Sequence, residues 1–201
     1  MRTQSSVHFF LNWTKERIDE MDATLASIES KAAEMRAESR AKVDQFIGDL
    51  RQKRTEFEST VKKQAEEGEA AWETTNARLE TQWKSFETEI KKYFETFGRD
   101  ISQQQSVFQS QVTAQMNAWR ETADQIHAAA ADFASERRKD IDATVSRMRA
   151  EAAAAQDKLQ KLAGAGTESW SALSAAETRA VFDRANQTAR EAFKRATGSA
   201  Q

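Results

Sequence analysis

The 201 residues carry 30 basic and 32 acidic side chains, mixed along the chain to a net charge of −2, which gives no strong pull toward nucleic acid or an acidic membrane. The absence of cysteine excludes disulfides and thiolate metal sites. Proline is also absent where about ten would be ordinary, and only six glycines are present, so an all-α chain with almost no sheet is predicted.

In chain order, residues 1–14 form an N-terminal apolar segment, Val7, Phe9, Phe10, Leu11 and Trp13, interrupted by His8 and Asn12. No small-residue cleavage site follows it, so it reads poorly as a signal peptide. No run of about 20 apolar residues suggests a membrane span. The chain is therefore expected to be soluble and cytoplasmic.

Residues 15–162 are predicted to form one long coiled-coil helix. Its first part is a heptad seam in which Ile18, Leu25 and Ala32 alternate with Met21, Ile28 and Met35. From Met35 the period changes to eleven. One column of the repeat reads Met35, Phe46, Phe57, Gly68, Leu79, Ile90, Ile101, Val112, Ala123. A second reads Leu50, Val61, Trp72, Trp83, Phe94, Gln105, Met116, and a third Phe86, Phe97, Phe108, Trp119. Eleven residues in three turns place these columns on one narrow stripe, the candidate interaction surface.

Gly48, Gly68 and Gly98 invite hairpins, with Gly98 the best local candidate. The columns nevertheless keep their phase across all three, and a helix-interior glycine costs only about 1 kcal/mol. A continuous rod of about 220 Å is expected at 1.5 Å per residue. Beyond Ala123 the seam slides to Ile126, Arg137, Met148 and Leu159, flanked by Ala130, Ile141, Ala152 and Ala163. Residues 101–119 carry no charge and six glutamines, and are read either as neutral exposed helix or as a crossing zone in which Gln105 fixes register.

A glycine-containing break is placed at 163–167, a C-terminal amphipathic helix at 168–197 and a tail at 198–201. That helix presents Trp170, Leu173, Val181, Phe182 and Phe193 as a second interaction face.

No catalytic, cofactor-binding or metal-ligating motif is found, and His8 and His127 lie far apart. Acidic runs such as Glu66, Glu67 and Glu69 read as solvated helix faces, and His127 as a packed or partly exposed imidazole. No enzyme activity, cofactor, nucleic acid or small-molecule substrate is expected.

A lone helix cannot bury its own stripe, so something must cover it. The narrowness of the stripe favours other helices, hence a self-associating, homo-oligomeric scaffold. The aromatic residues favour the alternative, a coat on a membrane, lipid or storage granule. Uninterrupted eleven-residue amphipathic repeats resemble those of exchangeable apolipoproteins. The proline-free, cysteine-free, alanine- and glutamine-rich chain is similar to bacterial phasins. These resemblances imply a peripheral coat on lipid or on polyester granules. Apolipoprotein repeats are usually punctuated by proline, which this chain lacks, and no functional residue carries over from either family.

Overall fold

The computed structural model describes residues 4–67, 71–97, 101–163 and 175–198, and among them all regular structure is helical, without a strand. Six helices follow in order: α1 Gln4–Ala33, α2 Ala37–Glu67, α3 Trp72–Phe97, α4 Ile101–Ala129, α5 Ser135–Ala163 and α6 Ala175–Gly198. The all-α expectation holds. The continuous helix over 15–162 does not, because the chain ends one helix and starts another four times within that span.

The first of these ends uses no glycine. At the end of α1 the backbone ladder tightens, with Glu34 N donating to Lys31 O at 3.1 Å and Met35 N to Ala32 O at 3.1 Å. Arg40 N then donates to Arg36 O at 2.9 Å as α2 begins. The break between α4 and α5 repeats the device: Ala131 N bonds Ala128 O at 3.2 Å and Phe133 N bonds Ala130 O at 3.1 Å. The Ala134 carbonyl then accepts from Arg137 N and Arg138 N, opening α5. Gly48, by contrast, sits inside α2 with open space around it, so it makes no hairpin. Gly68 and Gly98 fall between helices, outside the described residues. The proposed break at 163–167 lies after α5, and residues 164–174 are likewise outside the described set.

The chain divides into two units. Arg17–Gln111 forms one, holding the C-terminal part of α1, all of α2 and α3, and the start of α4. Met1–Glu16 with Val112–Gln201 forms the other, holding the N-terminal part of α1, the rest of α4, and α5 and α6. The N-terminal apolar segment is thus part of α1, with Phe9 and Phe10 in a core.

In the Arg17–Gln111 unit, neighbouring helices run antiparallel. Asp22 and Glu29 of α1 meet Arg54 and Arg51 of α2, and Thr60 and Lys53 of α2 meet Gln82 and Ser85 of α3. Thr24 and Ser27 of α1 meet Gln111 and Ser106 of α4. In the other unit, α4 and α5 are antiparallel through Arg120 with Gln156, Asp124 with Arg149, and His127 with Asp142. Short connections between antiparallel helices are the ordinary way for such helices to bury one another's apolar sides.

Candidate functional site

The apolar stripe is the candidate site, and its real geometry starts from the buried rows. Along α2 the buried positions include Val43, Ile47, Leu50, Phe57, Val61 and Gln64, and along α3 they include Leu79, Trp83, Phe86, Ile90 and Tyr93. Val112, Met116, Trp119, Ala123, Ile126 and Ala130 continue the pattern in α4, and Ile141, Val145, Met148, Ala152 and Leu159 in α5. Each set follows a four-three spacing, with a seven-residue step from Leu50 to Phe57 in α2 and from Ala152 to Leu159 in α5, so the period inside every one of these helices is seven. That is the seam of helices packed at a shallow left-handed angle. The eleven-residue columns are a by-product: a four-three row contains steps of seven plus four, and the helix breaks join such steps into longer runs.

This accounts for where the predicted residues stand. Leu50, Phe57, Val61, Leu79, Trp83, Phe86, Ile90, Val112, Met116 and Trp119 are buried inside the chain's own helix packing. Phe46, Phe94 and Phe108, which lie off the seven-residue rows, are only half-buried, as is Phe97 near the end of α3. Met35 is half-buried in the α1–α2 connection. The side chains of Trp72, Ile101, Phe182 and Phe193, and residues Trp170 and Leu173 altogether, lie outside the description. Val181 of α6 is half-buried against a core formed around Trp119, Ile126, Ile141 and Met148. Val43, Ile47 and Tyr93 were missed by the eleven-residue frame, although Val43-Ile47-Leu50 already spells the seven-residue one.

The Arg17–Gln111 unit concentrates aromatic rings. Phe46 meets Tyr93 and Phe97 edge-on at 6.1 and 5.7 Å between centroids, and Trp83 stacks on Phe86 at 5.9 Å. The Arg17 guanidinium lies 5.8 Å over the Trp83 ring, an arrangement that lets an almost buried cation keep an electrostatic partner. Large rings find room here because the helices pair antiparallel in a bundle, not in a two-stranded parallel seam.

Polar groups interrupt the rows, and local partners explain several of them. Arg54 takes the α2 position between Leu50 and Phe57, where Asp22 of α1 accepts from its guanidinium at 2.8 and 3.1 Å and Glu58 accepts from it as well. The hydrogen bond to Asp22 is the main reason Arg54 holds its proton more firmly than usual. Glu58 is held below the ordinary carboxylate range, first by Lys62 and then by Arg54. The Gln103 amide donates to the Tyr93 hydroxyl. Burial pushes this phenol up, and the Gln103 bond partly opposes that shift. In the uncharged segment of α4, Gln103 and Gln115 are buried, whereas Gln105, the residue expected to fix register, is half-buried. The neutrality of this segment fits a helix side that touches other helices.

His127 is exposed, with Nδ1 3.3 Å from Asp142, whose other oxygen accepts from Arg138 at 3.2 Å. Among the described residues, no group of three or more His, Cys, Asp or Glu is placed to hold a metal ion, and no helix is long and apolar enough to cross a membrane. Leu11 is the one large hydrophobic side chain among them that stands exposed, at 41%. No protein-family model, curated protein or solved structure matches the chain.

Proposed function

We propose that this is a non-enzymatic coat protein that covers an apolar surface, lipid or polyester, by exchanging its own helix–helix contacts for contacts with that surface. The observation that carries the reading is that the amphipathic rows are sheathed within each unit, while hydrogen-bonded polar residues such as Gln103, Thr24 and Thr60 sit among the apolar ones. A helix leaving such a packing re-exposes polar groups that water can satisfy and apolar rows that another hydrophobic phase can take up. Amphipathic helices with Trp, Phe and Leu on one side and charges on the other suit a headgroup-level or granule interface. The site is then the buried rows themselves, and the position in the cell is peripheral on that surface within the cytoplasm.

Self-association is the second reading, favoured by the four-three spacing of rows such as Met21, Leu25, Ile28 and Ala32 of α1, which fits a helix of a second copy as well as one of the same chain. Any helix that can leave its own bundle can also pack into a second copy, giving a homo-oligomeric scaffold by exchange of identical elements.

Flotation of the purified protein with dimyristoylphosphatidylcholine vesicles, and pelleting with amorphous polyhydroxybutyrate particles, separates these readings. Retention on either surface with a changed tryptophan emission is expected. No retention on either, together with a concentration-dependent oligomer in sedimentation velocity, would overturn the coat in favour of the scaffold.

A further inference from the structure

We infer that Arg17 and Thr24 choose the partners of α1: they hold this helix in the bundle of its own chain and keep it from pairing with α1 of a second copy. Two four-three rows overlap on α1 within the Arg17–Gln111 unit. One is apolar throughout, Ile18, Met21, Leu25, Ile28, Ala32 and Met35, a seam that would suit a two-stranded coiled coil. The other is Arg17, Met21, Thr24 and Ile28, in which every second place is polar. All four residues of the second row are buried, with Arg17 at 4% and Thr24 at 0% exposure, whereas Ile18 and Met35, the two ends of the first, are only half-buried. The helix thus gives up part of its apolar seam to bring Arg17 and Thr24 inside.

Each of these two residues meets a complement that the fold of the same unit brings to it. The Arg17 guanidinium lies 5.8 Å over the Trp83 ring of α3. Thr24 Oγ1 donates to the Glu20 carbonyl at 2.8 Å and accepts from Gln111 Nε2 of α4 at 3.1 Å. In a parallel pair of α1 helices joined along this row, like positions face each other, so Arg17 would meet Arg17 of the second copy. In an antiparallel pair it would meet Met21 or Ile28. The row offers neither an aromatic face nor a carboxylate, and a charge withdrawn from water without either is costly. Specificity of this kind is a difference between two pairings, and Arg17 and Thr24 enlarge it by penalising the pairing with a second copy.

The inference holds whether or not the protein coats a surface, and its test needs no vesicle. Sedimentation equilibrium of the full chain is run over a range of concentrations. The unmutated protein, and Arg17→Lys/Thr24→Ser, which keeps a cation and a hydroxyl, are expected at the mass of one chain, 22.7 kDa. Arg17→Leu/Thr24→Val makes the row apolar and is expected to approach about twice that mass as concentration rises.

An apolar variant that associates no more strongly than the conservative one overturns the inference. The same comparison decides the matter if the unmutated chain associates through some other face. Should the apolar variant lose helicity by circular dichroism, Thr24→Val is set against Thr24→Ser in the same experiment. Stronger association of Thr24→Val then supports the inference, and equal association overturns it.

Discussion

The two units follow the same seven-residue rule and fill it with different residues. In Arg17–Gln111 the rows carry Phe57, Leu79, Trp83, Phe86 and Tyr93. In the other unit, many of the corresponding places among the described residues hold alanine: Ala123, Ala130, Ala152, Ala185, Ala189 and Ala192 cluster with Phe9, Trp119, Ile126, Ile141, Val145 and Met148. Each methylene withheld from water is worth about 0.8 kcal/mol, so a ring-filled row gains stability from size. An alanine row gains it from close approach of the helices and from high helix propensity. The polar joins do not divide in the same way. The first unit ties helices with half-buried or buried bonds such as Gln82 to Thr60 and Gln103 to Tyr93, and also with exposed pairs such as Glu29 with Arg51. The second has exposed pairs, Asp124 with Arg149 and Lys15 with Glu121, of a kind worth about 0–1 kcal/mol, beside a buried bond from the Asn186 amide to the Phe9 carbonyl. One pattern of apolar positions thus supports two packing strategies.

The sharpest way to break this comparison is to delete size where size should matter. Phe86→Ala removes a fully buried ring and is expected to cost about 3–5 kcal/mol in urea unfolding followed by circular dichroism. A loss below about 1 kcal/mol would mean that the rings are not what holds this unit. The converse change adds size where fit should matter. Ala152→Leu, at a fully buried position of α5, is expected to destabilise by about 1–3 kcal/mol through overpacking. A neutral or stabilising outcome would show that the alanine rows leave room, and the contrast between the units would collapse.

How much of this could be read beforehand is itself instructive. Helicity was legible, since a chain without proline and with few glycines has little else to form. Much of the buried set was legible too, because any apolar stripe selects residues such as Phe57, Leu79 and Phe86. The helix ends were not. Those after Ala33 and Ala129 are made by backbone tightening at Glu34-Met35 and Ala131 to Phe133, with no glycine or proline to announce them. Phase across a break misled for a physical reason: a four-three row already contains eleven-residue steps inside single helices, such as Leu79 to Ile90 and Val112 to Ala123, so an eleven-residue column does not require one uninterrupted helix. What covers the stripe was also hidden, since periodicity states that a face is apolar but not which helix meets it. The partners of Arg54 and Tyr93, 32 and 10 residues away in sequence, follow from that unseen pairing.

A smaller change sharpens the comparison from the side of intrinsic propensity. Gly48 lies in α2 of the ring-filled unit, and a methyl group added there meets nothing within 4 Å. Gly48→Ala is expected to stabilise by about 0.5–1 kcal/mol, since alanine restricts the unfolded chain without crowding the folded one. Destabilisation in the same unfolding assay would mean that this stretch of α2 is not regular helix.

The smallest effect concerns the polar bond inside the aromatic packing, and here the sequence provides its own probe because Tyr93 is the sole tyrosine. Burial raises its phenol above the ordinary value of about 10, while the Gln103 amide, which would also stabilise the phenolate, acts in the opposite direction. A folded value above the unfolded one means that the associated stability is whole below about pH 10 and is lost as pH rises toward and through the folded value. Titration of the tyrosinate absorbance near 295 nm should therefore give a midpoint above that of the urea-unfolded chain. Gln103→Leu should move it higher still, because desolvation remains and the opposing donor is gone. A midpoint equal to that of the unfolded chain would place Tyr93 in water and remove it from the ring cluster with Phe46 and Phe97. A raised midpoint that Gln103→Leu leaves unmoved would keep the ring buried but deny the bond to α4.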